Sequence, residues 1–492
     1  MTRKASPSNG KTASAAVRER LDHPVIDNDG HMIEIEPVLY DYLAEVAGPA
    51  MTDRYRSLMK DGRFWGWYNR SRDEVREMRI KRPPHWALAG NTVDRATAMV
   101  PRLWRDRMDE FGVDFTIVYP TLGLHTLAIA DDELRLSVVR ANNLMNADTF
   151  RGHEDRIMTV ATIPMHTPDE AIAELEFAVH KLGMKAMMME GVVRRPIETD
   201  ADGAVAASFW LDPLGMDGLY DYDPLWAKCM ELKVAPTTHS HGMGWPNRTS
   251  PTNFNYNHIH NFAESSEACC KAMFFGGVTR RFPDLKIGFL ECGVAWAVSL
   301  YHDIIEHWEK RNRIALDRDL NPANIDRDAL LSLITKHGHD RVVSKANELG
   351  GYIGPAFWEN TEDEADLDEW AKCAIETEED IRDLFVPNFF FGCEADDRCV
   401  AWAFDERVNE MNVKFNAMLG SDIGHWDVQD ATTVLAESYE LVEKDLLSHD
   451  DFRDFTFSNA VSMHGGMNMD FFKGTVIEDE ADAVLKRKHL AA

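Results

Sequence analysis

Cysteine is scarce in this chain, with seven residues in 492 and no CxxC pair. An odd number of unpaired cysteines argues against a disulfide scaffold and against a structural zinc module. A chain of this length buries enough apolar surface to fold without either. Basic residues are also few, 53 against 83 acidic ones, which gives a formal net charge of -30. That charge repels nucleic acid and anionic membrane surfaces, so neither is an expected partner.

Long hydrophobic runs are missing as well. No apolar stretch approaches the roughly 18 residues of a membrane span, and the first residues lack the apolar region of a secretory signal. Residues 1–20, rich in Ser, Ala, Lys and Arg, are predicted to be a disordered tail. No GxSxG motif is present. We therefore expect a cytoplasmic enzyme that does not use a nucleophilic serine.

What the chain does contain is a repeated alternation of short apolar runs and segments of helical period. Most of the runs lack polar alternation, as expected for strands buried on both faces of a parallel sheet. Eight strands separated by helices predict an α/β fold, a (β/α)8 TIM-like barrel over residues 21–475, followed by a tail at 476–492. The eight runs are 25–27, 115–120, 157–164, 184–190, 234–239, 286–291, 389–393 and 417–422.

Two segments are additions to the strands and helices of a minimal barrel. Residues 45–104 are rich in aromatic side chains, and residues 312–383 are predicted to be a helical insertion before the seventh strand. The insertion ends in an acidic run at 359–383, interpreted as a solvated face. The aromatic cluster of Trp65, Trp67 and Tyr68 is predicted to form a small secondary core or an oligomer contact. The alternative is that it lines the substrate pocket. A homodimer or higher homo-oligomer is expected through this segment.

Metal-capable side chains follow several of the predicted strands, at the end where a (β/α)8 barrel has its active site. On an extended segment, residues two apart point to the same side, so the first strand can present an acid and an imidazole together. Two carboxylates and two imidazoles predict one divalent ion, with zinc expected and manganese or iron as alternatives. The candidates are Asp29 and His31 after strand one, His239 and His241 after strand five, Glu291 after strand six and Asp422 after strand eight.

Other polar residues near these strand ends leave alternatives open. Asp27 is a candidate for one of two roles: it orients His31 through a hydrogen bond, or it accepts hydrogen bonds from other groups. His425 and His241 are candidates for substrate contact. His258 and His260 fit either a helix-entry loop or a substrate-facing pair.

Six ordered motifs resemble the amidohydrolase-related family, in the branch that includes aminocarboxymuconate-semialdehyde decarboxylase. They span about residues 22–465, and they are DNDGHMIEIEP, FGVDFTIVYPTLGL, RIMTVATIPMHTPDEAIAELEFAV, YDPLWAKCMELKVAPTTHS, FGGVTRRFPDLKIGFLECGVAW and LGSDIGHWD. The resemblance implies that Asp29, His31, His239 and Asp422 are metal ligands and that Asp422 also takes a proton. Many members carry a histidine after strand six where this chain has Glu291, which can act as a general base or hold the substrate.

Two enzymatic functions and one non-enzymatic function follow from this interpretation. The favoured one is a metal-dependent hydrolase of a small, aromatic substrate, with Asp422, Glu291 and His241 as catalytic candidates. The alternative is a metal-dependent, non-oxidative decarboxylase of an aromatic or enoic acid. A minor alternative is a non-catalytic binding protein. The candidate cationic anchors for a carboxylate substrate are Arg102, Arg105, Arg107 and Arg248.

Overall fold

All eight predicted apolar runs form parallel strands. The computed structural model describes residues 11–61, 65–83, 88–197, 209–239, 249–351 and 367–491. The strands are β1 (Ile26–Met32), β2 (Phe115–Pro120), β3 (Ile157–Thr159), β4 (Ala161–Thr162), β5 (Met187–Met189), β6 (Val193–Pro196), β7 (Phe209–Asp212), β8 (Pro236–Thr238), β9 (Ile287–Phe289), β10 (Phe389–Cys393) and β11 (Asn416–Leu419).

The parallel strands lie in two sheets, ordered β1-β2-β3 and β11-β10-β9-β8-β5-β4. Only Val160 separates β3 from β4, and its N–H donates to the carbonyl of Val118, 3.3 Å away. The third predicted run therefore continues from one sheet into the other. Strands β6 and β7 form a separate antiparallel pair. The observed architecture is thus a mixed α/β fold with parallel sheets, as the sequence predicts.

The first and last parallel strands approach each other just beyond the end of β11. The N–H of Asp422 donates to the carbonyl of Asp29 at 2.8 Å, and the N–H of His31 donates to the carbonyl of Ile423 at 2.9 Å. These bonds hold the backbone at three of the predicted ligand positions in one place.

Helices follow most of the parallel strands and cover the sheets. Helix α9 shows why they begin and end where they do: Thr167 Oγ1 accepts a hydrogen bond from the N–H of Glu170, and Gly183 ends the helix at a φ of 72°. The helices up to strand β9 are α1 (Ala13–Arg18), α2 (Glu36–Ala47), α3 (Pro49–Asp61), α4 (Arg72–Glu77), α5 (Thr92–Met99), α6 (Pro101–Phe111), α7 (Thr121–Thr126), α8 (Asp132–Thr149), α9 (Pro168–Leu182), α10 (Asp223–Leu232), α11 (Phe254–His258), α12 (Asn261–Phe275) and α13 (Val278–Arg281). Those after β9 are α14 (Ala295–Arg311), α15 (Arg313–Ala315), α16 (Arg327–His337), α17 (Asp340–Val343), α18 (Glu378–Phe385), α19 (Val400–Phe404), α20 (Val434–Glu443), α21 (His449–Arg453), α22 (Asn459–Met467) and α23 (Glu478–Ala491).

The described parts of both long segments are helical. Helices α3 to α6 occupy the aromatic-rich segment, and α15 to α18 lie within or overlap the insertion before β10. In the described part of that insertion, α16 buries none of its residues. No described helix has the length and apolar content that a bilayer crossing requires.

Both ends of the chain depart from the predicted tails. Residues 1–10 lie outside the described residues, but residues 13–18 form α1, where Val17 is buried and Arg18 pairs with Asp114 at 2.6 Å. At the other end α23 buries Val484 and Leu485 in the core. The prediction of disorder is wrong for residues 13–18, because a short amphipathic helix with one buried valine leaves little signal in a Ser/Ala/Lys-rich sequence.

Candidate metal centre

Strand β1 is irregular close to Asp29 and His31, its two candidate metal ligands. The register against β2 shifts between Asp27 and Gly30, which re-aims the following side chains as a β-bulge does. A Cβ at Gly30 would lie 2.9 Å from both Asp27 Oδ2 and a ring carbon of Trp104. Only glycine therefore fits between the acid and the imidazole of the Asp29-Gly30-His31 segment.

Asp27 acts as a hydrogen-bond acceptor that joins neighbouring strands. Its Oδ1 accepts from the N–H of Asp29 at 3.2 Å and of Ser421 at 2.8 Å. Its Oδ2 accepts from the hydroxyls of Thr116 at 3.0 Å and Ser421 at 2.7 Å. Burial raises the pKa of Asp27 to about 6, against the pull of these hydrogen bonds. The contacts favour the acceptor role over a partner that orients His31.

Four of the predicted ligands lie close together, two of them within β1 and the others just beyond β8 and β11. The Nε2 atoms of His31 and His239 lie 2.9 Å apart. Asp29 Oδ1 is 3.1 Å from His239 Nε2 and 3.4 Å from His31 Nε2. Asp422 Oδ1 lies 3.3 Å from His31 Nε2. All four side chains are buried.

These separations match those between ligands of a single ion. Donors about 2.0–2.2 Å from a metal lie about 2.8–3.6 Å from each other at right to tetrahedral angles. The three separations among Asp29, His31 and His239, at 2.9, 3.1 and 3.4 Å, fall in that range, and these side chains form one group of possible metal ligands. Asp422 joins this group through His31, at 3.3 Å. Neither carboxylate oxygen of Asp422 accepts a hydrogen bond from a described residue, although both are buried. A cation supplies the partner that buried carboxylates otherwise lack.

The protonation states of two ligands also suit a metal. Burial opposes ionisation of Asp29, but the charges and hydrogen bonds of His239 and His31 prevail and hold its pKa below the ordinary value. Burial lowers the pKa of His31, with Asp29 opposing. Near neutral pH the carboxylate is therefore ionised and the imidazole neutral, which are the forms that bind a metal.

Glu291 lies beside this group, after the end of β9. Its Oε2 is 3.6 Å from His239 Nδ1 and accepts no hydrogen bond from a described residue. Burial, with Asp29 and Asp427 nearby, raises its pKa well above the ordinary value. Glu291 and Asp422 both have left-handed backbones, with φ of 51° and 53°. Such strain in non-glycine residues is concentrated at functional sites.

His425 completes a second set of possible ligands. His31, Glu291, Asp422 and His425 each offer an atom within 4.8 Å of the others. The His425 ring stacks on that of His31, with 4.0 Å between centroids. Its Nδ1 lies 2.7 Å from Asp422 Oδ1 and its Nε2 lies 3.1 Å from the hydroxyl of Thr121. His425 is therefore in direct contact with two proposed ligands.

The two histidines of the NHIH segment differ in their surroundings. His258 packs edge-on against Phe262 and Trp426 and contacts Phe254, with ring centroids 5.1 to 5.9 Å away. His260 is exposed at the start of α12. Of the two, only His258 joins the rings next to the centre. His241 lies outside the described residues.

Two of the predicted arginine anchors are engaged elsewhere. Arg105 pairs with Asp155 at 2.5 Å, and Arg107 pairs with Asp94 at 2.7 Å. The prediction of a substrate anchor is wrong for both, because each guanidinium already binds a carboxylate that packs one element on another. The other two candidates are Arg102, exposed on α6, and Arg248, outside the described residues.

Sequence analysis missed Glu394 and Asp427. Glu394 follows β10 directly, and burial together with Asp427, Asp396 and Asp397 raises its pKa to about 8. The rule that strand ends carry the site would have found Glu394, since it follows the seventh apolar run.

Comparison with protein families identifies the chain's relatives. The family model Amidohydro_2, described as amidohydrolase, matches residues 84–343, more than half of the chain. The chain belongs to this amidohydrolase family. His239 and Glu291 lie inside the matched range, and Asp29, His31 and Asp422 lie outside it. A comparison with curated proteins gives no match.

Several solved structures resemble the chain over most of its length. An amidohydrolase from Mycobacterium avium subsp. paratuberculosis K-10 is 16% identical, with 90% of this chain and 100% of that chain covered and a TM-score of 0.49. The 5-carboxyvanillate decarboxylase of Novosphingobium aromaticivorans DSM 12444, complexed with manganese, is 13% identical, with 90% and 96% covered and a TM-score of 0.47. The 4-oxalomesaconate hydratase of Rhodopseudomonas palustris is 14% identical, with 95% and 99% covered and a TM-score of 0.44. With TM-scores below 0.5, these likenesses do not select a reaction for this chain.

Proposed function

We propose that this protein is a metal-dependent hydrolase acting on an amide, ester or activated C–C bond of a small aromatic molecule. The proposal rests on the group formed by Asp29, His31 and His239, whose ligand atoms lie 2.9 to 3.4 Å apart. The Oδ1 atom of Asp422 lies 3.3 Å from His31 Nε2 and adds a second carboxylate. We also propose that the eight parallel strands close into a barrel. The backbone hydrogen bonds of His31 and Asp422 across the gap between β1 and β11 support that closure.

Asp29, His31, His239 and Asp422 would hold one divalent ion, with zinc expected and manganese or iron as alternatives. Such an ion lowers the pKa of a bound water and polarises a carbonyl. Asp29 joins both imidazoles, because its Oδ1 lies within 3.4 Å of each Nε2.

Asp422 is the proposed proton acceptor. Its Oδ1 faces His31 and His425, and its Oδ2 has no hydrogen-bond donor among the described residues. Burial raises the pKa of Asp422, but a cation bound beside it would favour the ionised form, and the second oxygen could then take a proton from an attacking water. His425, fixed by Thr121, positions the carboxylate from the other side.

Glu291 is the proposed proton donor. Burial, together with the nearby charges of Asp29 and Asp427, raises its pKa and so favours the protonated form, and its Oε2 accepts no hydrogen bond from a described residue. A protonated carboxyl can pass its proton to the leaving group as the bond breaks. This role differs from the general base that the sequence predicts for the same residue.

A second candidate reaction is decarboxylation of an aromatic or enoic acid. The observation in its favour is again the raised pKa of Glu291, because loss of carbon dioxide requires an acid that protonates the carbon left behind. In this reaction Asp422 need not accept a proton from water.

The two reactions differ in the fate of solvent oxygen. Turnover in water enriched in oxygen-18 places the label in the organic product of a hydrolase, whereas a decarboxylase releases carbon dioxide and leaves the organic product unlabelled. Aromatic amides, esters and acids are the substrates to screen. Label in the organic product supports hydrolysis. Release of carbon dioxide together with an unlabelled organic product contradicts it.

We expect Glu291→Gln to lower kcat by about 10²-fold or more in either reaction, because the amide has no acidic proton to give. The substitution keeps the shape of the side chain and removes its acidic proton. Because Glu291 is not one of the four proposed ligands, metal content should stay at the wild-type level. The exposed Glu19→Gln serves as the control. Unchanged kcat in the Glu291 variant would contradict the role of proton donor.

A further inference from the structure

A line of aromatic rings leads from the metal centre to the surface. Phe262 contacts the ligand His239 with 5.9 Å between ring centroids, and His258 contacts Phe262 at the same distance. Trp426 packs on His258 at 5.5 Å and is 37% exposed. These rings form an apolar wall that a flat ring can lie against.

The backbone next to Lys81 is fixed to this wall. The N–H of Arg82 donates to the carbonyl of Ser250 at 2.9 Å, and the side-chain amide of Asn257 donates to the carbonyl of Arg82 at 3.1 Å. Asn257 immediately precedes His258, so Lys81 is held close to the ring line. The positive charge of Lys81 contributes to the lowered pKa of His258, behind burial as the main cause.

The same chain segment is tied to the metal centre on its other side. The N–H of Ala89 donates to the carbonyl of Gly424 at 3.2 Å, and Leu88 pairs with His425 in an isolated antiparallel bridge. The described ends of the segment are thus attached to the loop before α11 and to the loop after β11. Both loops border the proposed ligands.

Lys81 is a partly buried cation that forms no ion pair with any described residue. Burial alone lowers the pKa of its ammonium group to about 7. Two other partly buried lysines have partners: Lys228 pairs with Glu176 at 2.9 Å, and Lys185 donates to the backbone carbonyls of Asp470 and Phe471 at 2.8 and 3.0 Å. A desolvated ammonium group without a partner is costly, and an anion that binds beside it offsets the cost.

We propose that Lys81 binds an anionic group of the substrate while the substrate's aromatic ring lies against His258 and Trp426. Lys81 is then the specificity-determining residue for a planar aromatic anion, a role that the sequence had given to arginines. The inference rests on the proposed function, since it concerns the same site.

The test compares two probes of equal shape, benzoate and benzamide, by titration calorimetry on protein of measured metal content. We expect wild-type protein to bind benzoate more tightly than benzamide, and Lys81→Gln to weaken benzoate binding by about tenfold while benzamide is unaffected. Lys81→Arg should retain most of the preference because it keeps the charge. Lys60→Gln, at an exposed position of α3, is the matched control.

Two results would overturn the inference. One is an equal affinity of wild-type and Lys81→Gln protein for benzoate, and the other is an equal loss for both probes, which indicates a purely structural role. Repeating the titrations after chelation separates this inference from the proposed function. The contribution of Lys81 to benzoate binding should persist without metal. A chain that binds no metal at all would contradict the proposed function, but the affinities of wild-type and Lys81→Gln protein for benzoate could still be compared.

Discussion

Replacing Asp422 by Asn is expected to lower turnover by about 10³-fold, because the amide cannot accept a proton from water and is a poor ligand for a cation. The fold should survive. Burial and the nearby Glu291 and Asp427 raise the pKa of Asp422, so its charge is unfavourable in the metal-free protein. We therefore expect the melting temperature of the metal-free variant to equal or exceed that of metal-free wild type.

The measurements are kcat on the substrate found by screening and thermal unfolding followed by circular dichroism. Asp41→Asn, an exposed position on α2, is the control and should behave as wild type in both. Asp422→Asn protein that keeps wild-type turnover would contradict the mechanism. Loss of turnover together with unfolding at room temperature would contradict the proposed separation of catalytic and structural roles.

Removal of the metal is expected to lower the melting temperature of the wild-type protein by several degrees. An ion present at about 100 times its Kd stabilises the folded state by about 2.7 kcal/mol. In this protein the ion also offsets the cost of burying the two carboxylates proposed as ligands, those of Asp29 and Asp422. Differential scanning calorimetry before and after chelation measures the shift.

The matched variant for that experiment is His239→Gln, which removes one proposed ligand from the middle of the group. Its melting temperature should no longer respond to chelation or to added metal. His260→Gln, at an exposed histidine near the same wall, should respond as wild type does. A metal-induced shift of equal size in both variants would place the ion elsewhere in the molecule.

The sequence predicted that Asp29, His31, His239 and Asp422 lie close together, because parallel strands present their carboxyl ends at one edge of a sheet. Each residue lies at or just after the end of a predicted apolar run, and hydrogen bonds between β1 and the segment after β11 bring Asp29, His31 and Asp422 together. Their role as metal ligands stays a prediction. The strands themselves were predictable for the same reason, since runs without polar alternation indicate burial on both faces.

Pairing between distant residues was not predictable in the same way. Arg107 has the sequence features of a substrate anchor, but only the packing of α5 on α6 brings Asp94 within 2.7 Å of it. Lys81 lies in a segment without strand signals, and its lack of a partner becomes visible only after the fold has placed His258 beside it. Likewise, two of the four hydrogen bonds that Asp27 accepts come from Ser421, which is 394 residues away along the chain.

The central claim is that Asp29, His31, His239 and Asp422 bind a divalent ion. Metal content by mass spectrometry, on protein purified without chelators or added metals, tests it most directly beside Asp422→Ala and the control Asp41→Ala. We expect about one zinc, manganese or iron per chain in the wild type and the control, and a loss of metal in Asp422→Ala. A wild-type protein that contains no metal and takes up none on titration would contradict it.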